Sequence, residues 1–149
     1  MSLYLDCEFN GHGGQLISLA LVSDRACHND VGGAFYGVLP LPDRIHPWVA
    51  ENVIPVLRRE PETRAEFQMR LKVFLERHAG APIIADWPYD FALLMDVMCS
   101  DDYERSWFVP CTMRLIKSGE VTPDVPHNAL SDAWALMNWH VNEKVKEHA

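Results

Sequence analysis

LYLDCEFN, from Leu3 to Asn10, has the pattern of a β-strand that carries two acids in otherwise apolar company. Leu3, Leu5, Cys7 and Phe9 alternate on one face, and Tyr4, Asp6 and Glu8 share the other. Asp6 and Glu8 therefore lie side by side, roughly 6–7 Å apart along the strand. Edge strands do carry charge to block aggregation, but they usually use Lys or mixed signs. Two like charges on one face repel unless something positive sits between them. From this stretch alone two readings stand: acids that face water, or acids that share a cation.

Working outward, Gly11, Gly13 and Gly14 mark a turn. Gln15–Ser23 is strand-like and almost wholly apolar, as a strand buried on both faces would be. Gly33–Leu39 reads as a third strand, and the short connections suggest an antiparallel meander. The period then changes. His46–Glu60 has helical character interrupted by Pro55. Pro61–Ala79 is a clearer helix, with Phe67, Leu71, Phe74 and Leu75 on one stripe. Ala81–Asp86 is a short buried strand, and Pro88 suits the first turn of a helix running to about Cys99. Trp107–Thr112 is expected as a fifth strand. A last helix is expected from near Asn128 to about Lys146, with Leu130, Ala133, Met137 and Val141 as its apolar stripe. Lys144 and Lys146 lie where the helix dipole favours cations. The order βββαβαβα predicts an α/β fold, a mixed sheet with helices packed on it.

The 149 residues suffice for one domain, 1–149, with a proper core. No apolar run is long enough to span a bilayer, and no basic-then-apolar leader is visible, so no membrane association is expected. Cys7, Cys27, Cys99 and Cys111 show neither CxxC nor zinc-type spacing. They read as reduced thiols in a cytoplasmic protein. The formal net charge of −8 argues against non-specific nucleic-acid binding through a broad basic surface. It leaves room for a nuclease, because bound divalent ions reverse the local field.

Two later stretches pair with the first. In ADWPYDFALL, Asp86 ends a buried strand and Asp90 lies on the first turn of the following helix, where open sheets place ligand sites. Asp90 could equally offset the helix dipole. In PHNALSDAWALMNWH, His127 and Asp132 are five residues apart. On one continuous helix they would point about 140° apart. They converge only if His127 precedes the helix, which Pro126 favours. Structural roles for both stay open at this point.

Together these pieces resemble the DEDDh family of 3′→5′ exonucleases, within the ribonuclease H-like superfamily. The residues that carry the resemblance are Asp6 and Glu8 in LDCEF, Asp90 in PYDFALL, and His127 and Asp132 in HNALSD. It spans essentially the whole chain, in family order. The length and the WPYD form of the middle motif look most like small single-domain bacterial or phage exoribonucleases. One departure concerns Asp86, since many relatives carry Asn at that place.

The resemblance implies a ribonuclease H-like mixed sheet, three antiparallel strands followed by parallel ones. It implies hydrolysis of single-stranded nucleic acid from its 3′ end, RNA favoured, to nucleoside 5′-monophosphates. Asp6, Glu8, Asp90 and Asp132 would hold two Mg²⁺ or Mn²⁺ ions, since hard carboxylates suit these metals. His127 would be the general base. Backbone at Phe9 and Asn10 would meet the terminal nucleotide, and Phe9 or Trp87 could stack on a base. Trp134 and Trp139 are expected as packing or dimer surface, with Trp48 open to either role, and a homodimer is common among the enzymes it resembles. A DNA-directed exonuclease and a catalytically silent binding module are the alternatives.

Overall fold

The computed structural model describes residues 1–26, 32–99 and 107–147. Five strands form one mixed sheet: β1 (Leu3–Phe9), β2 (Leu16–Ser23), β3 (Ala34–Val38), β4 (Ile83–Ala85) and β5 (Met113–Leu115). Their spatial order is β3-β2-β1-β4-β5. β1 pairs antiparallel with β2, and β2 with β3, while β4 runs parallel to β1 and to β5. The meander and the later parallel strands thus meet at β1, which carries both acids.

Four α-helices complete the described fold: α1 (Pro47–Asn52), α2 (Arg64–Arg77), α3 (Pro88–Met98) and α4 (Ala129–Glu147). A short 3₁₀ turn, Ile54–Val56, follows α1. Pro55 lies within it, and the break expected in the His46–Glu60 segment falls there. α2 starts with a capping box in which Thr63 and Glu66 each satisfy the other's backbone N–H.

Strand alternation sorts the core into two layers. Leu3, Leu5, Cys7, Leu19, Leu21 and Phe35 face α2 and α3, where Phe67, Leu71 and Leu94 are buried against them. Tyr4, Ala20, Val22 and Ile84 face α4, against Ala129, Ala133, Leu136 and Met137. Trp134 and Trp139 are half-buried against this second layer. Gly37 on β3 allows α2 its close approach: a Cβ there would meet the Phe67 ring at 2.4 Å.

The β1–β2 ladder is irregular beside the acids. Glu8 pairs with Ser18 but Phe9 pairs with Leu16, so Ile17 is an extra residue. Bulges of this kind re-aim side chains at sheet ends. Ile17 packs with Val49 of α1 and with Val53 at its C-terminal end, and so seats that helix beside the end of β1.

The fifth strand differs from expectation. It is Met113–Leu115, not Trp107–Thr112. Pro110 lacks the N–H that a ladder needs, and pairing with β4 begins where Ile83 N–H donates to Thr112 O. Cys7, Cys99 and Cys111 are free thiols, while Cys27 lies outside the described residues. Among the described residues no helix is long and apolar enough to cross a membrane.

Candidate functional site

Asp6 and Glu8 project from the α4 face of β1, and Asp132 projects from the first turn of α4. One carboxylate oxygen from each lies within 4.8 Å of the others. The approach follows from local structure. Asn128 caps α4, its Oδ1 accepting from Ser131 N–H at 3.1 Å. His127 precedes the cap in a left-handed conformation, φ 65°. That conformation takes it out of the helical path and lets its backbone N–H donate to the Asp132 carboxylate. The five-residue spacing converges because only Asp132 is helical.

Asp90 stands somewhat apart. It lies in the first turn of α3, 2% exposed, and its Oδ2 has no hydrogen-bond partner. It does not join the 4.8 Å cluster of Asp6, Glu8 and Asp132. Its charge is nevertheless the strongest felt by Asp6. Asp86, at the end of β4, accepts a 2.6 Å hydrogen bond from Ser118 Oγ. Asp86 lines a cleft of about 550 Å³ with Asp6, His127 and Asp132. Ser118 had no signal in the sequence, because it reaches Asp86 only through the parallel pairing of β4 and β5.

Five acids this close cannot all ionise cheaply. Burial, then the charges of Asp90, Glu8, Asp132 and Asp86, raise the Asp6 carboxyl well above its ordinary range. Burial and Asp132 push Glu8 up to about 8. Burial and Asp86 push Asp90 up to about 8. Burial raises Asp132 only to about 6, because a hydrogen bond with Glu8 and the nearby His127 oppose it. The hydrogen bond between Glu8 and Asp132 raises the first carboxyl and lowers the second.

This donor set fits a hard divalent cation. The ligand atoms are all oxygen, three converge, and a fourth acid has a buried oxygen with no partner. A bound cation would offset the repulsion among these carboxylates.

His127 is exposed, and its imidazole meets the Trp48 indole edge-on with ring centroids 4.9 Å apart. Trp48 belongs to α1, capped by His46 Nδ1, which accepts from Trp48 N–H at 3.3 Å. Asn10 ties this helix to β1: its Nδ2 donates to Arg44 O and its Oδ1 accepts from His46 N–H, both at 2.7 Å. The Asn10 backbone N–H is donated to Gln15 O. Asn10 therefore serves as a clamp on the loop before α1.

On the other side of Glu8 lies a cleft of about 770 Å³, walled by Phe9, Trp48, Trp87 and Tyr89. Trp48 is 48% exposed and Trp87 54%. Phe9 is held edge-on against Tyr89, centroids 5.0 Å apart. The acids thus stand between an aromatic cleft and the cleft that holds His127. Compared with models of known protein families and with curated proteins, the chain matches none.

Proposed function

We propose that this chain is a metal-dependent 3′→5′ exonuclease with a ribonuclease H-like fold, acting on single-stranded RNA or short oligonucleotides. The observation that carries the reading is the convergence of Asp6, Glu8 and Asp132 beside the buried, unpartnered oxygen of Asp90. The strand order, antiparallel on one side of β1 and parallel on the other, supports the fold assignment.

Asp6, Glu8 and Asp132 would hold Mg²⁺ or Mn²⁺, and Asp90 would complete the set for a pair of ions. Bound cations supply Lewis acidity at the scissile phosphate and lower the pKa of the attacking water. The chain's own groups do the rest. His127 accepts the water proton through its exposed imidazole, and Trp48 limits the orientations open to that ring. Phe9, Trp48 and Trp87 offer flat apolar surface to the terminal base, a contact typically worth about 1–3 kcal/mol. Ser118 orients Asp86, whose negative charge strengthens the pull on cations. The products are a nucleoside 5′-monophosphate and a strand shorter by one nucleotide.

The test uses 5′-labelled RNA and DNA of one sequence, incubated with Mn²⁺ or Mg²⁺. EDTA and Asp6→Ala are the controls. A ladder shortening from the 3′ end of RNA, and lost in both controls, is expected. Faster shortening of DNA would reassign the substrate. No shortening of either strand would favour a silent binding module.

A further inference from the structure

The molecule carries a formal charge of −8, yet it gathers cations in one place. A cleft of about 230 Å³ between β5 and α4 is lined by Arg114, Lys117, Lys144, Trp139, His140 and Glu143. Glu143 is already engaged by Lys146 at 2.6 Å, and His140 Nδ1 meets the Tyr4 hydroxyl at 2.9 Å. The exposed side chains of Arg114 and Lys117 make no hydrogen bond or ion pair among the described residues. Arg64, Arg70 and Lys72 are by contrast paired, with Asp96, Glu62 and Glu76. Arg114 and Lys117, exposed side by side on this cleft of an acidic protein, are a local attractor for anions.

Its position relates it to the acids. Tyr4, Ile84 and Arg114 lie in one register row across β1, β4 and β5. Asp6 is the next residue on the same face of β1. Two strand spacings and one strand repeat put the Arg114 and Asp6 backbones about 12 Å apart. Ile116–Gly119 bridges the two places. Ile116 N–H donates to Ala85 O, Ser118 bonds Asp86, and Gly119 packs against the Trp139 indole, where a Cβ would come within 3.1 Å of Nε1.

We propose that this cleft is a docking track for the phosphate backbone of the substrate strand, holding it 5′ of the nucleotide being removed. The inference rests on the nuclease reading for its direction, but not for the binding itself. Arg114 and Lys117 supply the charge, and Trp139 supplies a flat apolar wall. A dinucleotide has only its scissile phosphate and offers none to Arg114 and Lys117, whereas a longer strand places further phosphates there. The track therefore sets length preference and leaves the chemistry to the acids.

The test compares the unmodified protein with R114E/K117E and with the charge-conserving R114K/K117R. Fluorescence anisotropy with a labelled uridine dodecamer and a labelled uridine dinucleotide, both in EDTA, reads binding without turnover. The dodecamer Kd is expected to rise at least tenfold in R114E/K117E and to stay within about threefold in R114K/K117R. The dependence of log Kd on log salt should flatten by about 1.4, two phosphate contacts at roughly 0.7 each. A dodecamer bound no more tightly than the dinucleotide by the unmodified protein would overturn the track. So would equal weakening of both ligands in R114E/K117E. Dodecamer binding that follows these charges, with no cleavage of any strand under metal, would uphold the track and sink the nuclease reading instead.

Discussion

His127 combines a backbone task and a side-chain task, and two substitutions separate them. Its φ of 65° costs an L-residue about 1 kcal/mol that glycine avoids. His127→Gly should therefore keep or slightly raise the unfolding midpoint in urea while removing the base. His127→Ala should lower turnover about 10²–10⁴-fold, the usual range for a general base. A loss below tenfold would point to another base. At Asp6 the acids favour removal of charge: Asp6→Ala should abolish turnover and leave the far-ultraviolet circular dichroism of the fold unchanged. Retained activity would end the metal-site assignment. The D-x-E pair was legible in the sequence because strand period alone puts Asp6 and Glu8 on one face. The separation of Asp90 from the convergent trio was not, since it depends on how α3 leaves β4.

At the scale of elements, Asn128 ties the start of α4 to the 3₁₀ turn after α1. Buried Asn128 caps the helix through Oδ1, and its Nδ2 donates to Val56 O at 2.7 Å. Asn128→Ala removes the cap and leaves a carbonyl short of its donor, a loss of about 1–3 kcal/mol. Thr63→Ala at the exposed cap of α2 should cost about 1 kcal/mol or less. Equal costs by urea unfolding would mean that the tether to Val56 contributes nothing. Gly37→Ala should cost about 1–3 kcal/mol, because the Phe67 ring has nowhere to retreat in the buried layer. The helix stripes were readable from local spacing. The position of β5 was not, because Trp107 and Phe108 raised the apolar count while Pro110 delayed the pairing.

For the whole molecule, the raised carboxyls make stability depend on pH and on metal together. Glu8 and Asp90 are pushed up to about 8 and Asp132 to about 6. In the unfolded chain such groups titrate near about 4. A raised folded value means that the folded protein binds more protons, so this contribution is fully present below about pH 4. It is lost as pH rises through about 6 and then about 8. In EDTA the melting temperature should fall between pH 5 and pH 9. Millimolar Mg²⁺ or Mn²⁺ should raise it more at pH 8 than at pH 5, where a hundredfold excess over Kd adds about 2.7 kcal/mol of stability at the pH of that Kd. Glu8→Gln/Asp90→Asn should flatten the EDTA profile. A metal effect equal at both pH values would detach it from these carboxylates.

The sequence by itself determined what depends on neighbours along the chain. Strand alternation set the acid face of β1, and the 3.6-residue period set α2 and α4. Motif order singled out Asp6, Glu8, Asp90 and Asp132, and the resemblance pointed to Phe9 and Trp87 as aromatic candidates. Only the tertiary structure decided what depends on residues far apart in the chain. It joined Ser118 to Asp86 through the β4–β5 pairing, and through Ile17 and Asn10 it set α1 so that Trp48 meets His127. It also gathered Arg114, Lys117 and Lys144 into one cleft. Local periodicity records which face a side chain takes. The packing of one element on another decides which faces meet, and that information is spread over the whole core.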